Sequence, residues 1–354
     1  MRSTEDILKR QVRAVNIQQL KKSVPDFWNS FRKNGDEEKG VSCSGGLAAL
    51  YRKELADHLN SKRFFIIFML LLVVTTASLG GALSNIREAV EESSDFIFLK
   101  LFTTSGSAIY SFATFMAFLG PLAGITLGFD AVSNERSQGT LNRLAAQPIY
   151  RDSIINAKFL AGSTVIFLTV FMLGFYISGM GLMLIGIPPS GEEVLRIFAF
   201  LLFTWVYISF WLALSIIFSV VCKHAATAAL ASMSIWLFLS LFMSLVASAV
   251  ANSLFPTSGI AGFANISSNY SATLALNRIS PYYLFSEAAT TILNPNVRSI
   301  GMVTMSQLSG AIAGPLPFSQ SLLLVWPHLV LMIALVIAGF AIAYIAFMKQ
   351  EIRA

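Results

Sequence analysis

Side chains that could do chemistry are concentrated in one polar segment, residues 130–158, which lies between two long apolar stretches. Acidic and basic residues are mixed there, which favours ion pairs and contact with another protein. We expect Asp130 to pair with Arg136, Arg143 or Lys158. The segment is either a surface through which a partner acts or a charged loop that only fixes membrane topology. Its charged residues are Asp130, Glu135, Arg136, Arg143, Arg151, Asp152 and Lys158.

A short helix is predicted in the middle of this segment. Leu141 and Leu144 lie three positions apart with a polar neighbour between them, which is the spacing of one apolar helix face. Thr140 is a suitable N-cap, and Gly139 before it permits a sharp turn into the helix. Pro148 ends the helix, because proline cannot continue it. Such a helix, lying across the end of a membrane bundle, would form a contact surface.

Motifs for catalysis or metal binding are absent from the sequence. It has no GxxxxGK[ST] loop for nucleotides and no HExxH, CxxC or GxSxG motif. The three histidines, His58, His224 and His328, are too far apart to suggest a metal site, and His328 is expected at a membrane interface. Cys43 and Cys222 do not suggest a disulfide framework. We therefore expect no enzymatic activity, no metal and no cofactor bound by this chain.

The composition is that of an integral membrane protein. Charged residues make up 12% of the chain, about half of their share in a typical soluble domain. The net charge of +6 does not indicate a nucleic-acid partner, because the basic residues are not gathered on one folded domain. Apolar stretches of about 20 residues can cross a bilayer. The sequence predicts an all-α fold with six spans: Phe64–Leu83, Ile109–Phe129, Phe159–Ile185, Ile197–Val221, Ala228–Leu254 and Leu322–Phe347.

The distribution of positive charge predicts which side of the membrane each loop faces. With the N-terminus in the cytoplasm, 20 of the 25 lysine and arginine residues fall on the cytoplasmic side. This is the asymmetry that the positive-inside rule describes. Because about the first 60 residues are polar and charged, we expect no cleavable signal peptide. The sequence therefore predicts a multi-pass protein of the cell membrane with both termini in the cytoplasm.

Residues 46–63, directly before the first span, predict an amphipathic elbow helix in the cytoplasmic membrane interface. Arg52, Lys53, Glu54 and Asp57 are assigned to its polar face. The alternative is an ordinary helix of the preceding tail. The apolar face is predicted to consist of Leu47, Leu50, Tyr51, Leu55 and Leu59.

The rest of the chain divides at the elbow helix. Residues 1–45 form a cytoplasmic tail whose function the sequence does not reveal. Residues 64–354 hold the six spans and a long external segment, 255–321, which we expect to pack on the outer mouth of the bundle. In that segment Ser280, as an N-cap before a proline, predicts a helix over Tyr282–Leu293.

Gly120, Gly124 and Gly128 repeat every four residues in the second span. Small residues at this spacing form a flat stripe that another helix can approach closely. The sequence predicts a helix-packing face here rather than a ligand site.

Four segments of the chain resemble the membrane subunits of ABC-2-type ABC transporters, also grouped as type V. The loop Asn134-Glu-Arg-Ser-Gln-Gly-Thr-Leu141 is specific in this membrane context. The resemblance covers residues 46–354 and favours the partner-contact role for the polar segment over the topological one. The other three segments are Tyr51-Arg-Lys-Glu-Leu55 in the elbow, the external Ser280-Pro-Tyr-Tyr283, and Phe347-Met-Lys-Gln-Glu-Ile352 after the last span.

The resemblance implies a homodimer or heterodimer of six-span subunits in the lipid bilayer. Each subunit would dock a separate cytoplasmic ATPase, two copies in all, and ATP and Mg would bind to the ATPase. Residues 134–149 would be the coupling helix, in which Glu135 and Arg136 clamp to the elbow and Leu141 and Leu144 contact the ATPase. The residues implied in coupling are Glu135, Arg136, Gly139, Thr140, Leu141, Arg143, Leu144, Pro148 and Lys223.

The function implied by the resemblance is ATP-driven transport, which in this family is mostly export. Spans without buried charges favour a hydrophobic or lipid-like cargo, or a mechanical role, over a bare ion. One alternative is a membrane scaffold or channel without an ATPase, although scattered Ser and Thr form no polar stripe. Another is a secondary transporter with inverted repeats, although the two halves differ in loop length.

Overall fold

The computed structural model describes residues 45–92, 96–104, 110–140, 150–186, 188–258, 262–297 and 315–350. Throughout these ranges the regular secondary structure is helical, as predicted. The predictions for Leu141, Arg143, Leu144 and Pro148, and for the tail before Gly45, fall outside them.

Eleven helices follow one another in the described ranges, and one of them, α8, contains a π-helical turn over Phe238–Phe242. Six of the eleven are long and apolar enough to cross a membrane: α2, α4, α6, α7, α8 and α11. The bounds are α1 Gly45–Leu59, α2 Lys62–Glu92, α3 Ile97–Thr103, α4 Phe112–Gly128, α5 Ser133–Ser137, α6 Arg151–Ile185, α7 Gly191–Val221, α8 Ala225–Leu254, α9 Gly262–Asn277, α10 Pro281–Leu293 and α11 Phe318–Lys349.

The six predicted spans are confirmed in number and order, but several helices are longer than their apolar cores. Helix α6 begins at Arg151 rather than at Phe159. Helix α7 begins at Gly191 because Ser190 and Glu193 form a capping box, in which each side chain bonds to the other residue's backbone N–H. Polar residues at helix ends thus continue the helix beyond the hydrophobic stretch that a hydropathy pattern detects.

Helix α7 is the centre of the bundle, because 67% of its most apolar window is buried. It packs against α4, α6, α10 and α11. The corresponding fraction is only 11% for α8 and 17% for α11. Those two spans therefore form much of the exposed apolar surface of the subunit.

The glycine stripe of α4 lies against α7. A Cβ atom at Gly124 would be 2.6 Å from the carbonyl oxygen of Ile208, and one at Gly128 would be 2.9 Å from that of Leu212. Such contacts are too short for two non-bonded heavy atoms, so only glycine allows the two backbones this approach. Tyr207 fixes the same interface by donating to the carbonyl oxygen of Ala117 at 2.7 Å.

The helices between and beyond the spans were only partly predicted. Helix α10 matches the predicted helix, and its Phe285 is fully buried, with its ring 4.3 Å from that of Tyr207. Ser280, expected to cap α10, instead donates its hydroxyl to the carbonyl oxygen of Leu239 at 2.7 Å, in the π-helical turn of α8. A π-turn disturbs the regular i→i−4 ladder, so this carbonyl accepts from a neighbouring chain segment. Helices α3 and α9 were not predicted.

Candidate functional site

A buried ammonium group joins three helices at the end of the bundle that carries α1 and α5, which we call the α5 end. The side chain of Lys158, in α6, is only 4% exposed. Its Nζ lies 2.8 Å from Oε1 of Glu135 in α5 and 3.1 Å from Oε1 of Glu54 in α1. Lysine is rarely buried to this extent unless it is paired. The polar segment is thereby attached to the elbow helix.

A second lysine completes the cluster. Nζ of Lys53 lies 3.1 Å from Glu54, 3.4 Å from Asp57 and 3.8 Å from Glu135. Burial alone raises the pKa of Glu54, but the charges of Lys158 and Lys53 outweigh it and hold that pKa below its usual range. Both glutamates therefore lie between two ammonium groups. We call Lys53, Glu54, Glu135 and Lys158 the charge cluster.

The structure corrects the predicted polar face of α1 at one residue. Glu54, assigned to that face, is buried with 7% exposure. Leu50 is buried as expected, and Tyr51 donates its hydroxyl to Thr164 Oγ1 at 3.0 Å. Glu54 follows Leu50 by four positions and so shares its helix face. The sequence contained that signal, but a carboxylate is assigned to solvent unless its partner is known.

Arg136 does not clamp α5 to the elbow. Its guanidinium donates to the carbonyl oxygen of Val220 at 3.2 Å and to the side chain of Gln350, so it reaches the ends of α7 and α11. Arg151 donates to the backbone carbonyl of Gln350 at 2.8 Å. Of the two residues implied in the clamp, only Glu135 contacts an elbow residue, Lys53.

The corner between α4 and α5 is held by two further contacts that the sequence analysis did not foresee. Asp130 pairs with Arg63 at the start of α2 rather than with Arg136 or Lys158. The buried hydroxyl of Ser219, in α7, accepts from the backbone N–H of Val132 at 2.9 Å and from the next residue at 3.1 Å. These contacts tie the corner to α2 and α7.

Three other predicted coupling residues are described. Gly139 has a φ of 69°, in the left-handed region that favours glycine. Thr140 donates its hydroxyl to the carbonyl oxygen of Glu135 at 3.2 Å, which closes the turn after α5. Lys223 is exposed in the connection between α7 and α8, and the start of α8 lies beside α5. The structure thus brings both stretches implied in partner contact to the α5 end.

At the opposite end, α10 and α11 are joined by a second set of charges. His328, expected at a membrane interface, is buried with 6% exposure, and its Nε2 lies 2.7 Å from Oε2 of Glu287. Arg278 donates to both carboxylate oxygens of Glu287 at 2.9 and 3.0 Å. Burial raises the pKa of Glu287, but its bonds to His328 and Arg278 outweigh this effect and lower that pKa.

Arg196, in α7, is fully buried near this opposite end and connects the segments that surround it. Its guanidinium donates to the carbonyl oxygen of Ile292 at 2.9 Å, to Ser321 Oγ at 3.1 Å and to Glu192 at 2.8 Å. It therefore joins the end of α10 to the start of α11. Within the described ranges there is no group of three or more His, Cys, Asp or Glu side chains that could hold a metal ion.

Six helices long and apolar enough to cross a membrane, of which α7 is the most deeply buried, with the ion pairs of the described ranges near the two ends, define a multi-pass helical membrane protein. Residues 48–352 match the model of a family described as ABC-2 family transporter protein. The chain belongs to this family. It is also 32% identical over 122 residues to the probable ABC transporter permease protein NosY of Stutzerimonas stutzeri. That match covers 32% of the present chain and 43% of the relative.

Proposed function

We propose that this chain is the membrane subunit of an ATP-driven transporter and that α5, with the residues that follow it, receives the force of a separate cytoplasmic ATPase. ATP and Mg would bind to that partner, which would supply the free energy. The observation that carries the proposal is the charge cluster, in which Lys158 joins α5 to both α1 and α6. The family membership supports the same function.

The contacts of α5 explain how a push on it would reach the bundle. Glu135 connects it to α1 and α6, while Arg136 connects it to the ends of α7 and α11. Separating a buried ion pair is costly, because each charge would be left without compensation in a poorly solvated site. The four helices are therefore expected to follow α5 together, which is the requirement for converting a local contact into a change of the whole bundle.

One atom of the cluster points to a further contact. Oε2 of Glu135 is buried and has no hydrogen-bond partner among the described residues, although Oε1 is shared by two lysines. A buried carboxylate oxygen is normally paired. The stretch after Thr140 follows directly, and Leu141 and Leu144, for which the sequence predicts one helix face, would form the ATPase contact.

The remaining features of the proposal concern assembly and direction. The charge asymmetry supports both termini in the cytoplasm, where the α5 end would face the ATPase. Helices α8 and α11 bury little of their surface within one subunit, which supports a homodimer of two permease chains in the bilayer.

Export of a hydrophobic or lipid-like cargo, or a mechanical role, remains the favoured use of the energy, because charges lie at the ends of the spans rather than at their middle. Electrogenic sodium flux in proteoliposomes would contradict it.

The ATPase contact is tested by changing Leu141 and Leu144 together to Asp in the tagged full-length chain. We expect a folded, membrane-inserted protein that no longer co-purifies with a P-loop ATPase from its native membrane, because two carboxylates cannot replace the proposed apolar contact. Changing the same two residues to Met keeps an apolar surface and should preserve binding. ATPase recovery with the Asp variant equal to wild type would refute the coupling assignment. Wild-type protein that carries no ATPase, in mild detergent with nucleotide, would favour the scaffold alternative.

A further inference from the structure

The π-helical turn at the middle of α8 has a carbonyl group that bonds outside the helix. The backbone N–H of Met243 bonds to the carbonyl oxygen of Phe238, five residues back. In a regular α-helix this N–H would bond to the carbonyl oxygen of Leu239, four residues back. That oxygen instead accepts from the hydroxyl of Ser280 at 2.7 Å. Ser280 therefore satisfies the acceptor that the π-turn leaves without its α-helical donor.

The present arrangement leaves other polar atoms around the π-turn unused. Nε1 of Trp236 and the hydroxyl of Ser240 lie one turn apart on the buried face of α8, and neither has a hydrogen-bond partner among the described residues. The two side chains are only 7% and 9% exposed. Buried polar atoms are normally paired, and π-turns occur frequently at functional sites. The unpaired donors therefore indicate that α8 has a second arrangement available.

The two partners of the Ser280–Leu239 bond are held with different firmness. Helix α10, which begins directly after Ser280, is fixed to α7 by the ring of Phe285, 4.3 Å from that of Tyr207. Arg196 holds the other end of α10 through its bond to the carbonyl oxygen at residue 292. By contrast, only 11% of the most apolar window of α8 is buried. When the bond opens, α8 is therefore the element that moves.

Helix α8 also connects the two ends of the subunit. Its inner half, Ala225–Leu237, begins beside α5, and its outer half, Met243–Leu254, packs against α9. Asn269 of α9 donates to the side chain of Asn252 at 2.8 Å and to the carbonyl oxygen of Phe255 at 2.9 Å. A change at the π-turn would therefore move the outer half of α8 together with α9.

We propose that the π-turn of α8 is a reversible hinge and that the hydroxyl of Ser280 is the latch that holds it in the π-helical form. When the latch opens, the carbonyl group of Leu239 loses its donor. An unpaired carbonyl is costly within a membrane, so the N–H of Met243 returns to it and the turn becomes α-helical. Because a π-turn holds one residue more than an α-turn, this change rotates the outer half of α8 by roughly 100° relative to the inner half.

The hinge gives the subunit a discrete two-state element between its cytoplasmic and external ends. A displacement of the inner half of α8 that strains the Ser280–Leu239 bond would be converted into a rotation at the outer surface. That the ATPase supplies this displacement through the α5 end rests on the proposed function. The hinge itself does not depend on it.

The test follows α8 by ¹⁹F NMR in the full-length chain in nanodiscs, without an ATPase. The two cysteines, Cys43 and Cys222, are changed to Ser. A trifluoromethyl probe is then attached at Leu245→Cys in the outer half or, in a separate sample, at Leu230→Cys in the inner half. Both positions are exposed, by 63% and 65%. We expect two resonances from the outer probe and one from the inner probe, because only the outer half changes orientation.

Three variants identify the latch and the hinge. Ser280→Ala should raise the ratio of the minor to the major outer resonance about fivefold, which corresponds to one hydrogen bond of about 1 kcal/mol net. Ser232→Ala is the matched control and should leave the ratio unchanged, because this buried hydroxyl donates to the carbonyl oxygen of Ala228 within α8. Deletion of Leu241, an exposed residue of the π-turn, should leave one resonance. The shortened helix keeps the present orientation of both halves without a π-turn.

A single outer resonance in both the wild type and Ser280→Ala would overturn the proposal, as would equal changes of the ratio in Ser280→Ala and Ser232→Ala. Two resonances that persist after deletion of Leu241 would also overturn it, because the movement would then lie outside the π-turn. ATPase co-purification is measured in parallel. Two resonances in a wild-type chain that binds no ATPase would count against the proposed function and would support the hinge.

Discussion

Nζ of Lys158 lies 2.8 Å from Oε1 of Glu135, which joins the third span to the short helix that follows the second. Because Lys158 is 4% exposed and also bonds to Glu54, its ammonium group is the centre of the contacts between the elbow, α5 and α6. The same arrangement makes the α5 end sensitive to single substitutions and to pH.

Replacing Lys158 by Met is expected to destabilise the protein by about 3 kcal/mol, because two buried carboxylates would lose their shared partner. The measurement is thermal unfolding of the detergent-solubilised chain, with protection of α1 from hydrogen exchange as a local readout. Lys53→Met is the matched control: that side chain is 49% exposed, so its loss should cost at most about 1 kcal/mol. Equal effects of the two substitutions would contradict the central position of Lys158.

Acid should loosen the elbow helix. The folded-state pKa of Glu54 is lowered, so its ion pairs contribute stability above its unfolded pKa, about 4.3. This contribution is lost as the pH falls through the folded-state pKa. We expect the protection of α1 against hydrogen exchange to decrease below about pH 4.3, while the centre of α7 stays protected. Glu54→Gln should weaken protection at neutral pH and reduce the acid response. An unchanged response in that variant would assign the titration to another group.

The glycine stripe of α4 should show graded sensitivity to an added methyl group. Gly124→Ala places its Cβ 2.6 Å from a backbone oxygen of α7, which cannot yield without moving the helix. We expect a loss of about 1–3 kcal/mol, typical of overpacking. At Gly179 nothing lies within 4 Å of an added Cβ, so Gly179→Ala should be tolerated. Thermal unfolding of the two variants in one detergent decides the comparison, and equal midpoints would rule out close α4–α7 packing.

Arg196→Met should loosen the end of α10 from the start of α11. Arg196 is fully buried, and removing its guanidinium leaves the carbonyl oxygen of Ile292 without this donor. An unpaired buried polar group costs about 1–3 kcal/mol. The expected result is faster hydrogen exchange at the end of α10. Arg278→Met serves as the control, because that arginine is 33% exposed and solvent can replace its contacts. Faster exchange at the end of α10 in Arg278→Met than in Arg196→Met would show that Glu287, rather than Arg196, holds the end of α10.

The sequence by itself determined the features that depend on local composition. The number and order of the spans follow from the length of the apolar stretches, since a bilayer requires about 20 such residues wherever they occur. Helix α10 followed from a serine–proline pair, because proline favours the first turn of a helix. In both cases the signal lies within the segment that forms the element, and the structure agrees.

Only the tertiary structure decided which side chains meet. Glu54 belongs to a buried face because Lys158, far along the chain, lies opposite it. Arg136 reaches Gln350 rather than the elbow, and His328 is buried against Glu287. An isolated charged residue favours solvent, and burial becomes favourable only when a partner compensates its charge. That partner is fixed by how distant helices pack, which local composition does not specify.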